Sequence, residues 1–169
     1  MLRSFLIYLS KAGWAQKLVT SWSFAWKAAS RLVAGANVQD AIRVVRELNA
    51  KGINTTLDQL GEHTSTVEEA NAATDAIIDV LNEIDKAGVK ANVSIKLTQI
   101  GMGLDEETCR QNLVRILEQA RKHGNFVRID IEDTPYTDVT ILIYKAMLER
   151  GFTTRQVGMA AQSYLYRAE

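Results

Sequence analysis

The chain has 169 residues, 47% of them hydrophobic and 24% charged, which suits one globular domain or one part of a larger one and excludes collagen-like, disordered and disulfide-scaffolded proteins. Twenty Lys plus Arg balance twenty Asp plus Glu, so no global field exists to recruit nucleic acid or an anionic membrane nonspecifically. The single cysteine, Cys109, cannot form an internal disulfide and lies in a helical pattern, which fits a buried structural thiol in a reducing compartment.

The opening MLRSFLIYLSKAGW joins a basic residue to an apolar run from Phe5 to Leu9. That run is far short of the roughly 20 residues that cross a bilayer, and no convincing cleavage site follows it, so an intracellular protein is expected. Residues 4–33 hold all three tryptophans, Trp14, Trp22 and Trp26, at helix-compatible spacing, and predict one or two helices packed beside a larger body. Asn37 is the expected cap of the next helix, with Asp40 in its first turn. Its apolar stripe is Val38, Ala41, Ile42, Val45 and Leu48, and Gly52 stops it.

Four strand-led units follow. The first strand opens at Ile53, and its helix starts with Thr66 and Glu69 in capping-box spacing, burying Ala70, Ala73, Ile77, Val80, Leu81 and Ile84 up to Gly88. The second strand runs from Ala91 to Leu97. A helix from Asp105 then buries Cys109, Leu113, Ile116, Leu117 and Ala120, ending at Gly124. The third strand is Phe126 to Ile131. Thr134 is the expected cap of the next helix with Pro135 at its first position, the stripe is Val139, Leu142, Ile143, Ala146 and Met147, and Gly151 ends it. Val157 to Leu165 reads as the fourth strand. Strands alternating with helices at this period imply parallel pairing with right-handed crossovers, in an open doubly wound sheet or a barrel.

No strand is followed by a glycine-rich phosphate loop, which weakens a dinucleotide-binding reading. Chemistry concentrates instead where the strands end. Lys96 and Asp130 are 34 residues apart and Asp130 and Gln162 are 32 apart, about one strand plus one helix per step. Parallel units deliver such strand ends to one face, so the three would line one barrel mouth. Each has a bland alternative. Lys96 and Asp130 could form a structural ion pair, Glu132 and Asp133 a solvated helix start, and Gln162 a hydrogen-bond closure inside the barrel. Three functional readings compete: Lys96 as a Schiff-base lysine; Asp58, Glu62, Asp130, Glu132 and Asp133 as ligands of a divalent cation; or Lys96 as a fixed cation for a substrate carboxylate, with Gln162 contacting an organic cofactor. His63 and His123 lack metal-ligand spacing and read as loop and helix-end residues.

TLDQLGE at Thr56–Glu62, SIKLTQIG at Ser94–Gly101, VRIDIEDTP at Val127–Pro135 and QSYLYR at Gln162–Arg167 resemble, in order and spacing, the successive strand-end motifs of the proline dehydrogenase family. RLVAG at Arg31–Gly35 resembles the family's segment before the first strand, and the N-terminal helices resemble those of bacterial monofunctional members. The resemblance runs from about Arg31 to the last residue. It implies an α/β fold, half of a (β/α)8 TIM-like barrel with about four parallel strands, preceded by N-terminal helices. Residues 1–36 would be the helical segment and residues 37–169 the first half of the barrel, truncated after strand four.

The same resemblance implies FAD-dependent oxidation of L-proline to Δ1-pyrroline-5-carboxylate, the first step of proline catabolism. Lys96 would hold the substrate carboxylate, Asp130 would be the acid near substrate and flavin, and Gln162 would contact the isoalloxazine ring. A resident metal is not implied. Hydride would pass from proline C5 to flavin N5, with a membrane quinone as the electron acceptor. The expected location is cytoplasmic, with peripheral contact on the inner face of the membrane. Ser163 replaces the alanine common after the glutamine.

In the family the second half of the barrel supplies strands five to eight, further FAD contacts and a closing helix whose arginine pair clamps proline. The expectation is therefore a fragment inactive alone, leaving two long sheet edges and an inner face of Val, Ile and Leu open to water. The alternative is a non-catalytic half-barrel that assembles with a separate C-terminal half or as a homodimer. A Schiff-base aldolase is the third reading.

Overall fold

The computed structural model describes residues 33–35, 37–61 and 63–163. The predicted helices with Trp14, Trp22 and Trp26, the carboxylate of Glu62, and Tyr164 to Glu169 lie outside the described residues. Those up to Val44 fall in one structural unit and those from Val45 onward in another.

Helix α1 is Val38–Asn49, and Asn37 caps it as predicted, its Oδ1 accepting from Asp40 N at 2.9 Å. At its far end Asn49 clasps the loop before the second strand: Oδ1 accepts from Lys90 N at 2.7 Å, and Nδ2 donates to Lys90 O at 3.1 Å. The elements that follow are β1 Thr55–Asp58, α2 Val67–Ala87, β2 Ala91–Lys96, a 3-10 turn Leu97–Ile100, α3 Glu106–Lys122, β3 Val127–Asp130, α4 Thr134–Glu149 and β4 Val157–Ala160. The four strands pair in parallel in the order β1-β2-β3-β4, each joined to the next by a helix. The order steps one way without the reversal of a doubly wound sheet, as in a sector of an α/β barrel.

Local chemistry explains the helix ends. Thr66 Oγ1 accepts from Glu69 N at 3.2 Å, and Glu69 Oε2 accepts from Ser65 N at 2.7 Å, so the return bond of the capping box lands one residue before the cap. Gly88 takes φ 61 at the C-cap, a left-handed conformation costly for any residue with a Cβ, and its N–H bonds back to Asp85 O and Ile84 O. Asp105 caps α3 by accepting from Thr108 N at 2.8 Å, and the bond from the Thr108 hydroxyl, followed by this backbone bond, holds its carboxyl below the usual range. Replacing Thr66 with alanine is expected to cost about 1 kcal/mol of unfolding free energy. A urea midpoint equal to that of the unchanged chain would contradict this.

The core lies between the helices and one face of the sheet. Val93, Ile95, Val127, Ile129 and Val157 alternate along the strands and are at most 2% exposed, and α2 and α3 pack against each other over them through Ile77, Leu81, Ile84, Leu113, Ile116 and Leu117. The opposite face carries Thr56 and Asp58, Asn92, Ser94 and Lys96, Arg128 and Asp130, and Gly158 and Ala160. The expectation of an inner face of Val, Ile and Leu open to water is therefore wrong. The apolar parity is spent on the helices, which leaves the inner face polar and charge-balanced. Gly158 is required by close approach: a Cβ there would lie 2.6 Å from the Phe126 ring.

Two boundaries and one buried face also differ from expectation. Helix α4 begins at Thr134 with extended Asp133 as its cap residue, so Pro135 is second rather than first, still within the turn where its missing N–H costs nothing. Its buried face is Thr137, Thr140, Ile143 and Met147, and Leu142 is 58% exposed. Among the described residues β4 stops at Ala160, opposite Asp130, because β3 itself ends there and offers no further partner.

Candidate active site at the strand ends

Register brings the predicted residues to one edge of the sheet. Lys96 and Asp130 are direct partners in the last rung of the β2–β3 ladder, and Ala160 is the partner of Asp130 on β4. Gln162 lies two residues beyond β4 and is half-buried. Its Nε2 donates to Ile131 O at 3.3 Å, which ties it to the residue after Asp130. All three share the C-terminal end of the strands, where barrel enzymes assemble their sites.

Their partners differ from the simplest expectation. Lys96 Nζ is 2.8 Å from Asp58 Oδ2 on β1, with side-chain exposures of 19% and 35%. Asp130 is held on its own strand, where Arg128 Nε donates to its Oδ1 at 3.2 Å and also reaches Ser94 Oγ at 3.3 Å. The structural Lys96–Asp130 ion pair is thus replaced by two separate pairs, because each acid has a nearer cation. Among the described residues cationic and anionic groups alternate across this face, and each remains partly open to solvent.

Glu132 takes a role that spacing alone did not single out. Its carboxylate accepts from Thr98 N at 3.0 Å and from the Thr98 hydroxyl, locking the start of the β3–α4 loop to the turn after β2. Gln99 Nε2 donates to Gln59 O at 3.2 Å, and Thr64 Oγ1 donates to Thr98 O at 3.2 Å, so the same turn grips the β1–α2 loop. The constant offset of 34 between SIKLT and RIDIE was a signal in the sequence, since it pairs Ser94 with Arg128, Lys96 with Asp130 and Thr98 with Glu132.

The remaining candidates lie elsewhere or are differently engaged. Asp133 is exposed at the start of α4. His63 lies in the β1–α2 loop, and its ring stands 6.2 Å from that of Tyr136. His123 follows α3, at the opposite end of the strands, with Nδ1 3.0 Å from Asp85 Oδ2. Among the described residues no group of three or more His, Cys, Asp or Glu is arranged to hold a metal ion. Cys109 is buried with Sγ 3.7 Å from Leu97 O, and burial, aided by the Glu132 charge, pushes its thiol up to about 12. No helix among the described residues is long and apolar enough to cross a membrane.

Residues 41–169 match the family model described as proline dehydrogenase. The chain belongs to the proline dehydrogenase family. It is 32% identical over 167 residues to proline dehydrogenase 2 of Bacillus subtilis, covering 99% of this chain and 54% of that protein. It is 36% identical over 146 residues to the proline dehydrogenase of Deinococcus radiodurans, covering 85% of this chain and 47% of that one. The chain therefore spans about half the length of the curated relatives it matches. Among solved structures, proline utilization A from Bdellovibrio bacteriovorus, inactivated by N-propargylglycine, superposes with a TM-score of 0.71 at 18% identity, covering 79% of this chain and 17% of that one. Proline utilization A from Bradyrhizobium japonicum gives 0.61 at 21% identity, covering 79% and 15%. These likenesses concern the fold, and they agree with a sector of a TIM-like barrel.

Proposed function

We propose that this chain supplies one wall of a flavin-dependent site for the oxidation of L-proline to Δ1-pyrroline-5-carboxylate. The observation that carries the reading is the register-paired Lys96 and Asp130 at the strand ends of a proline dehydrogenase family chain, with Gln162 tied to the residue after Asp130. In this reading residues 37–169 form the first half of the barrel. The sheet is open at β1 and β4 among the described residues, which favours completion by further strands, from a separate C-terminal half or a second copy.

Lys96 offers an ammonium on a half-desolvated surface, suited to a charge-assisted hydrogen bond with the proline carboxylate. Asp58, which is 35% exposed, orients that ammonium from the β1 side without sealing it off. Asp130, braced by Arg128, presents a carboxylate beside the substrate position. The Gln162 amide combines a donor and an acceptor, a set that fits the polar edge of an isoalloxazine ring, so the residues present fit FAD. When bound, FAD supplies the two-electron acceptor for the oxidation, and the protein supplies position and electrostatics. A quinone as the final acceptor, with peripheral contact at the inner face of the membrane, completes the proposal. The Schiff-base alternative is disfavoured, since a lysine bound to a carboxylate is arranged as a cation rather than as a free nucleophilic amine.

The test is dye reduction with L-proline by the chain supplied with FAD, alone and co-expressed with the second half of the Bacillus subtilis relative. Proline-dependent reduction is expected in the co-expressed preparation. Its absence from both preparations would overturn the reading.

A further inference from the structure

The β2–β3 ladder keeps an offset of 34 residues through Ser94 with Arg128 and Lys96 with Asp130, and then ends. Immediately after Lys96 the chain tightens into the turn Leu97–Ile100, which takes the backbone N–H of Thr98 out of the ladder. Glu132 restores the missing rung with its side chain. Thr98 and Glu132 are again 34 apart, and the carboxylate takes both the N–H and the hydroxyl of Thr98. The four turn residues are at most 3% exposed, so a donor left unpaired here has no water to turn to.

The turn is also a junction. Thr98 O accepts from Thr64 N at 3.4 Å, Gln99 Nε2 donates to Gln59 O, and Asn112 Nδ2 on α3 donates to Ile100 O at 3.2 Å. Gln59 follows Asp58, the ion-pair partner of Lys96, so one buried turn holds the backbone on both sides of that pair. Gly61 permits this clamp, since a Cβ there would come within 3.0 Å of Gln99 Nε2. Among the described residues Glu132 is the one charged acceptor that binds this turn, and both its oxygens are committed to Thr98 rather than aimed at a ligand.

We propose that Glu132 is a positioning residue that fixes Lys96 and the β1–α2 loop through its paired bonds to Thr98. This rests on the reading of Lys96 as the contact for the substrate carboxylate. The isosteric change Glu132→Gln removes the charge from this pair of bonds: its amide oxygen can still accept from Thr98 N, but its amide nitrogen meets the Thr98 hydroxyl only if that bond reverses direction. Thr98→Val removes the hydroxyl at constant shape, and Thr98→Ser keeps it.

Amide hydrogen exchange on the chain reads the lock directly. Glu132→Gln and Thr98→Val are expected to speed exchange at residue 98 and at Thr64 about tenfold or more, with Leu81 and Leu117 in the helical core unchanged and Thr98→Ser close to the parent. In the proline-oxidising preparation the same two variants are expected to raise KM for L-proline about tenfold with kcat within about twofold, and Thr98→Ser to restore it. Uniform acceleration at all amides would overturn the proposal by showing only a global loss of stability. So would an unchanged KM in the Glu132 and Thr98 variants while Lys96→Met raises it. If Lys96→Met leaves KM unchanged as well, it is the carboxylate reading that fails, and the proposal falls with it.

Discussion

Lys96→Met is expected to raise KM for L-proline about 100-fold, or about 2.7 kcal/mol of lost binding, while moving the urea midpoint little. The two halves of this expectation have different physical origins. A charge-assisted hydrogen bond to a substrate carboxylate is worth about 1.5–3 kcal/mol where water is partly excluded, and methionine preserves the stem of lysine without its charge. The resting ion pair with Asp58 has side-chain exposures of 19% and 35%, and a pair this open contributes about 1 kcal/mol or less to folding. A purely structural lysine predicts the reverse, a loss of stability with no change in KM. The measurement is steady-state kinetics across L-proline concentration in the co-expressed preparation, paired with denaturation of each variant. Asp58→Asn sharpens it: if Asp58 only orients the ammonium, KM changes far less than in Lys96→Met.

Local chemistry made most of the fold legible. The Asn37 and Thr66 caps, the helix start at Asp105, the stop at Gly88 and the stripe of α3 are written in short-range spacing, and the structure has them where the residues put them; in α2 the predicted Ala70, Ile77, Leu81 and Ile84 are buried, but Ala73 and Val80 are half-buried and Thr74 takes a core position instead. Quantities set between elements were not legible. The face that α4 buries depends on how that helix lies over the sheet, and this placed Thr137 and Thr140 inside and Leu142 outside. Alternation in the strands was visible, but which parity met the helices was not, so the polar inner face was read as apolar. At the site, strand-end position marked out Lys96, Asp130 and Gln162. Their immediate partners were hidden, because an ammonium on β2 can turn to a carboxylate on either neighbouring strand. Glu132 is the clearest case: as one acid in a run it reads as a solvated helix start, and only the register of β2 on β3 gives it a buried threonine to hold.

Stability is expected to fall in alkali through Cys109, by roughly 2–3 kcal/mol near pH 11 relative to a variant that lacks the thiol. The folded chain pushes this thiol from its ordinary 9.0 up to about 12, first by burial and then through the negative charge of Glu132. Between those two values the unfolded chain releases the Cys109 proton and the native chain retains it. The native state then binds more protons than the unfolded one, so unfolding free energy decreases as pH rises through this window and is unaffected by Cys109 well below pH 9. Lysines and tyrosines also titrate in alkali, so the readout is a difference: urea unfolding of the parent and of Cys109→Ala, each near pH 8 and near pH 11. The alanine variant begins lower because it leaves a small cavity under α3, yet its further loss between the two conditions should be smaller by the stated amount. Equal losses in the two proteins would mean that the thiol ionises as readily inside the fold as outside it. The same burial predicts that alkylating reagents label Cys109 only at the rate of unfolding, so Thr66→Ala, which destabilises α2 without touching the thiol, should accelerate labelling.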